Sequence, residues 1–170
     1  MMRVMADSPH RIALALGANI GDRLAALRAA REGLARYMTL EALSNIYETP
    51  PAYVTDQPPF LNAALTGKTL LDPLALLLTI KEIERHIGRK PTFRNGPRVI
   101  DIDILFYDDL RMQTPELTIP HPAMAERFFV LRPLADVAGD WIHPVTRQTV
   151  NGMLSALPGS DGAQKISEAL

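Results

Sequence analysis

Two aspartates, Asp101 and Asp103, stand one residue apart in an otherwise apolar run, Val99-Ile100-Asp101-Ile102-Asp103-Ile104-Leu105-Phe106. The β-branched and aromatic residues of that run predict a strand, so both acids project from one face. Carboxylates so placed, roughly 7 Å apart at their Cα atoms, repel each other and resist desolvation unless a cation lies between them. Oxygen ligands of this kind suit a hard divalent ion such as Mg²⁺. The alternative is a strand with one wet face on which the acids are merely solvated. Just upstream, Gly88-Arg89-Lys90-Pro91-Thr92-Phe93-Arg94-Asn95-Gly96-Pro97-Arg98 carries four cations, three of them between glycines. Guanidinium groups grip phosphate bidentately and lysine acts as a point charge. A basic loop beside paired acids is the make-up of a metal–phosphate site, although a charge run taken alone is usually a solvated loop. No Gly-x-x-x-x-Gly-Lys-Ser/Thr segment occurs, which argues against a P-loop.

Other candidates are less pointed. His121, between Pro120 and Pro122, has no neighbouring acid or nucleophile with which to form a triad, but could donate to a phosphate, as could Arg127. Glu84 falls on a helix whose default is a solvated face. Asn62 is an amide inside an apolar strand, Phe60-Leu61-Asn62-Ala63-Ala64, and needs partners there. Its donor and acceptor match the edge of a heterocycle. Phe60 and Phe129 are most simply core residues.

These residues need a scaffold. Ile12–Leu16 predicts a strand that runs into the Gly17-Ala18-Asn19-Ile20-Gly21 turn. Asp22 is placed to cap a helix with Leu24, Leu27, Ala30 and Leu34 on one stripe, through to Tyr37. Leu40–Tyr47 reads as a second strand. Thr49-Pro50-Pro51 and Gln57-Pro58-Pro59 bracket a stiff loop, and Phe60–Leu70 is a third strand. Asp72-Pro73 opens a second helix that runs to about Ile87 and ends at Gly88. The order β-α-β-β-α-β predicts an α+β, ferredoxin-like antiparallel sheet with helices packed on one face. Phe128–Val137 is helical in pattern despite Pro133. Residues 11–157 are expected to form a single catalytic domain, with 1–10 and 158–170 as loose terminal segments.

With 170 residues, 47% hydrophobic and 22% charged, the chain has the composition of an ordinary soluble domain. A formal net charge of −1 gives no global attraction to nucleic acid or acidic membranes. The absence of cysteine excludes disulfides and thiolate chemistry and suits a reducing cytoplasm. No apolar stretch is long enough for a membrane span, and Met1–His10 lacks the apolar stretch of a secretory signal. From the residues alone, the expectation is a small cytoplasmic Mg²⁺-dependent enzyme acting on a phosphate ester. A regulatory ligand-binding module and a metal-dependent nuclease stay open, the second disfavoured by the lack of a basic stripe.

The assembled motifs carry a resemblance. Leu16-Gly17-Ala18-Asn19, Tyr47-Glu48-Thr49-Pro50-Pro51 and Gln57-Pro58-Pro59-Phe60-Leu61-Asn62-Ala63 resemble the 6-hydroxymethyl-7,8-dihydropterin pyrophosphokinases. So do Gly96-Pro97-Arg98-Val99-Ile100-Asp101-Ile102-Asp103-Ile104-Leu105 and Ile119-Pro120-His121-Pro122. The resemblance runs in order from about Ile12 to Leu157. It implies a ferredoxin-like fold and transfer of pyrophosphate from ATP to the pterin hydroxymethyl group, releasing AMP, on the route to folate. It further implies that Asp101 and Asp103 hold two Mg²⁺ ions. Glu84, Arg89, Arg98, Thr118, His121 and Arg127 would bind ATP, with Arg89 and Arg98 catalytic. Thr49, Pro50, Phe60, Asn62 and Phe129 would bind the pterin. The expected partners are ATP and 6-hydroxymethyl-7,8-dihydropterin, with no nucleic acid or membrane, and the chain is expected to act as a monomer. Two departures stand out. The family usually has tryptophan where Asn95 stands, and the basic loop is about one residue shorter, which leaves Arg89 and Lys90 as alternatives for one phosphate position.

Overall fold

The computed structural model describes residues 5–89, 93–158 and 162–170. Lys90 and Thr92 of the basic loop, and the Gly159-Ser160-Asp161 part of the tail, lie outside the described residues. The long central strand β1 (Met5–Ala18) is paired antiparallel on one side with β4 (Phe60–Leu71) and on the other with β5 (Asp101–Tyr107). Strands β2 (Thr39–Leu43) and β3 (Asn45–Thr49) both pair with β4. They replace the single strand expected over Leu40–Tyr47. The break falls at Ser44, whose hydroxyl accepts from the Ala64 amide at 2.8 Å and so supplies a bond that the ladder loses there.

Helices α1 (Arg23–Leu34) and α2 (Pro73–Ile87) complete the β-α-β-β-α-β plan, with its second strand split into β2 and β3. Both begin as the sequence predicts: Asp22 accepts from the Ala25 amide, and Asp72 from the Ala75 amide ahead of Pro73. Gly88 ends α2 with φ of 115°, a left-handed conformation open to glycine without steric cost. Alternation along β1 divides the core. Ile12, Leu14 and Leu16 face Leu27, Leu34, Leu76 and Ile80 of α1 and α2. Ala13 and Ala15 face the other side, where Leu131 and Leu134 of α3 (Phe128–Ala138) and Met153 of α4 (Val150–Ala156) pack. The two helices of the ferredoxin-like unit thus share one face, as expected, and the C-terminal helices cover the opposite face. The small alanines on that second face let α3 lie close to the sheet.

Both ends differ from the loose segments expected. Residues from Met5 onward belong to β1, and the His10 ring stacks on Tyr107 and pairs with Asp108. Gln164–Ala169 form β8, which pairs antiparallel with β3. The Arg28 guanidinium donates to the Ala169 carbonyl and Leu170 is buried in the main core. The outer edge of β3 has backbone groups to satisfy, and this polar tail supplies them. Two short strands, β6 (Met112–Gln113) and β7 (Thr118–Ile119), form a separate ribbon. Among the described residues no helix is long and apolar enough to cross a membrane.

Candidate active site

Gly17 sits at the centre of the site. On β1 it pairs with Asn62 of β4 on one side and Asp101 of β5 on the other. The heterocycle-type amide and the acidic pair therefore flank one glycine, about two strand spacings apart. A Cβ at this position would come within 3.1 Å of Asn62 Oδ1, so glycine keeps the floor open. Above it lies a cleft with about 660 Å³ of empty space, part of it open to solvent.

At one end of the cleft Asn62 and Thr49 are buried and joined by a 2.6 Å bond from Asn62 Nδ2 to Thr49 Oγ1. That bond fixes the amide, leaving polar groups of both residues for a flat polar ligand. Pro50 lines the cleft beside them. Phe60 reaches it from β4 and Phe129 from α3, where Phe129 also packs against the core on that face of the sheet.

At the other end Arg98, Asp101, Asp103 and Arg127 line the cleft. Asp101 is neutralised: Arg89 Nη1 lies 2.8 Å from its Oδ1 and Arg98 Nη1 lies 3.0 Å from its Oδ2. The Asp103 carboxylate makes no hydrogen bond or ion pair among the described residues. Burial, then the charges of Asp101 and Glu84, push its carboxyl up to about 7. Such an unpartnered acid beside a second acid is a donor set for a cation. No group of three or more His, Asp or Glu residues placed to hold a metal occurs among the described residues. Mg²⁺ fits that set, because it binds through one or two carboxylates and takes its remaining oxygens from water and phosphate.

Glu84 departs from the solvated helix face expected of it. Its carboxylate is buried, accepts from the Ile102 amide at 2.8 Å and from Arg89 Nη1 at 2.7 Å. Burial raises its pKa, and the Ile102 bond and the Arg89 charge counter that rise. It ties α2 to β5 between the two aspartates and holds Arg89 in place. His121 is half-buried, and its pKa falls to about 4 through burial and the Arg127 charge. It is therefore neutral at pH 7. Its Nδ1 faces the Ala123 amide at 3.2 Å, which puts the ring proton on Nε2, a donor. Glu84, Arg89, Thr118 and His121 stand outside the cleft lining. Thr118 lies on the β6–β7 ribbon.

Three site residues escape the sequence reading. Asn19 is buried; its Nδ2 donates to Gln57 Oε1 and to the Pro58 carbonyl, and its Oδ1 accepts from the Arg98 amide. Gln57 Nε2 donates to the Val54 and Asn95 carbonyls. This pair knits together the turn after β1, the proline-bracketed loop and the basic loop, whose Asn95 takes φ of 59°. Asparagine tolerates that left-handed conformation better than a bulky aromatic does. The third is Tyr53, on the cleft wall. An amide directly after Leu-Gly-Ala is the one signal that could have revealed Asn19; Tyr53 gives none.

The chain resembles known proteins over the segments that build this cleft. The family model of 7,8-dihydro-6-hydroxymethylpterin-pyrophosphokinase matches residues 13–139. The 2-amino-4-hydroxy-6-hydroxymethyldihydropteridine pyrophosphokinase of Aquifex aeolicus is 42% identical over 135 residues, covering 79% of this chain and 84% of that protein. Its Bacillus subtilis namesake is 45% identical over 126 residues, covering 73% and 75%. The folic acid synthesis protein FOL1 of Dictyostelium discoideum is 44% identical over 153 residues, 90% of this chain. The chain spans only 23% of that relative's length, and about a quarter or less of other long folate-synthesis relatives from Arabidopsis thaliana and Schizosaccharomyces pombe. The fold matches a crystal structure of Plasmodium falciparum HPPK-DHPS with a TM-score of 0.72 at 18% identity, over 89% of this chain and 44% of that one. The chain belongs to the 7,8-dihydro-6-hydroxymethylpterin-pyrophosphokinase family.

Proposed function

We propose that this chain transfers pyrophosphate from ATP to 6-hydroxymethyl-7,8-dihydropterin, giving the pterin diphosphate and AMP for folate synthesis, in an Mg²⁺-dependent reaction. The observation that carries the reading is the single cleft with an amide and two phenyl rings at one end and paired acids with arginines at the other. A flat heterocycle and a polyphosphate are the two ligands that such ends recognise.

Asn62, Thr49 and the Pro50 backbone read the pterin edge, and Phe60 and Phe129 flank its ring. Asp101 and Asp103 would hold two Mg²⁺ ions, which supply charge neutralisation of the triphosphate when bound. Arg89 and Arg98 neutralise Asp101 here and have phosphate oxygens as alternative acceptors; Glu84 keeps Arg89 within reach. His121 donates to phosphate from Nε2 as a neutral group, and Arg127 adds charge between His121 and Asp103. Thr118 would contact the nucleoside. The hydroxymethyl oxygen attacks the β-phosphorus in line and AMP leaves. Catalysis rests on positioning and on neutralising charge, with no protein nucleophile. The protein acts as a cytoplasmic monomer with these two small-molecule partners.

Incubation with ATP, Mg²⁺ and the reduced hydroxymethylpterin tests the reading. Both substrates are consumed together, and EDTA stops the reaction. A chain that binds Mg²⁺-ATP without consuming it in the presence of the pterin is a ligand-binding module instead.

A further inference from the structure

Arg127 occupies a peculiar position. It precedes α3, lines the cleft, and its guanidinium lies 5.7 Å from the Phe129 ring centre. On its other side is Tyr53, from the proline-bracketed loop. Arg127 Nε donates to the Tyr53 hydroxyl at 2.9 Å, and the guanidinium carbon lies 5.2 Å from the Tyr53 ring centre. Among the described residues the two terminal nitrogens of Arg127 make no hydrogen bond. Tyr53 itself is 51% exposed, so the fold does not depend on burying it.

We propose that Tyr53 is a positioning residue for the nucleotide: it holds Arg127 by Nε and by its ring face, which leaves the terminal nitrogen pair free to grip a phosphate. This rests on the assignment of Arg127 to phosphate above. An arginine side chain carries large rotamer freedom, and a partner that takes Nε alone removes much of that freedom without using the bidentate fork. The ring adds a cation–π contact. Because Tyr53 shares its loop with Pro50 and Gln57, the wall of the heterocycle end also sets the geometry of the phosphate end.

Calorimetric titration with Mg²⁺ and α,β-methylene-ATP, which cannot undergo the transfer, tests this in wild type, Tyr53→Phe, Arg127→Met and the double variant. Tyr53→Phe keeps the ring and loses the acceptor. It weakens analogue binding roughly three- to tenfold, as expected for a lost bond to a charged donor at a part-exposed site. It raises the KM for ATP by a similar factor, while pterin affinity and thermal unfolding hold. In the Arg127→Met background the same change has less than about a twofold effect, because the two residues act as one unit. Wild-type affinity in Tyr53→Phe, or an undiminished loss in the Arg127→Met background, overturns the proposal. An enzyme that makes no AMP defeats the functional reading, yet the binding cycle still decides the Tyr53 assignment.

Discussion

Asp101 and Asp103 leave the same face of β5 in opposite electrostatic states. Asp101 accepts from Arg89 and Arg98 at 2.8 and 3.0 Å, whereas Asp103, two residues on, makes no ion pair among the described residues and is pushed up to about 7 by burial and by its acidic neighbours. The two acids are alike in sequence and unlike in what they cost the fold.

Substitution should separate them. Asp101→Ala and Asp103→Ala each lower turnover by at least about a thousandfold, since metal neutralisation of a phosphate chain is worth several kcal/mol and each 1.4 kcal/mol is tenfold. Thermal unfolding diverges. Asp101→Ala costs about 1–2 kcal/mol, because Arg98 loses its acceptor and Arg89 keeps only Glu84. Asp103→Ala is neutral or stabilising at pH 8. Near-normal activity in both variants would remove the metal assignment.

The pH dependence follows from the same carboxyl. The folded protein holds the Asp103 proton up to about pH 7, while an unfolded chain releases it near the ordinary 3.8. Folded protein binds more protons in that window, so this group's contribution to stability falls as pH rises through it. His121, lowered to about 4 from 6.5, works the other way: the unfolded chain binds the extra proton, and stability rises between those values. Subtracting the wild-type curve from that of Asp103→Asn isolates the carboxyl. Between pH 5 and pH 8 the variant should gain about 1–3 kcal/mol on the wild type in metal-free buffer. A flat difference would mean that Asp103 is ionised throughout.

Asn62→Leu probes the other end of the cleft. Its amide is held by Thr49 and faces a site suited to a heterocycle edge. Leucine removes those bonds and leaves the ligand's polar edge desolvated, a loss of order 10²-fold or more in pterin affinity. Affinity for Mg²⁺ and α,β-methylene-ATP should change by less than about twofold, and calorimetry with each ligand decides it. Equal losses would make Asn62 a structural residue of β4.

What the sequence makes legible here is local. Alternation around Asp101 and Asp103 predicts their shared face, and the caps at Asp22, Asp72 and Gly88 fix the helix ends, because each depends on residues close in the chain. The parts that escape depend on distant partners. Glu84 looks solvated on its own helix; the Ile102 amide, 18 residues on, and the Arg89 guanidinium draw it inward. The tail reads as loose because its strand exists only against the open edge of β3. Tyr53 has no local pattern, and its contact with Arg127 spans 74 residues. Thr49 and Asn62, proposed here to read the pterin, are legible through the family resemblance, which names them without showing the bond that joins them.

The point at which the phosphate chain breaks distinguishes pyrophosphate transfer from ordinary phosphoryl transfer. Paired acids and arginines alone are compatible with attack at either the β- or the γ-phosphorus. A single turnover with enzyme in excess over ATP, quenched and resolved by chromatography, identifies both products. AMP should appear in amounts equal to the pterin consumed, with two phosphates gained by the pterin in one step. Stoichiometric ADP, or a singly phosphorylated pterin appearing first, would contradict pyrophosphate transfer.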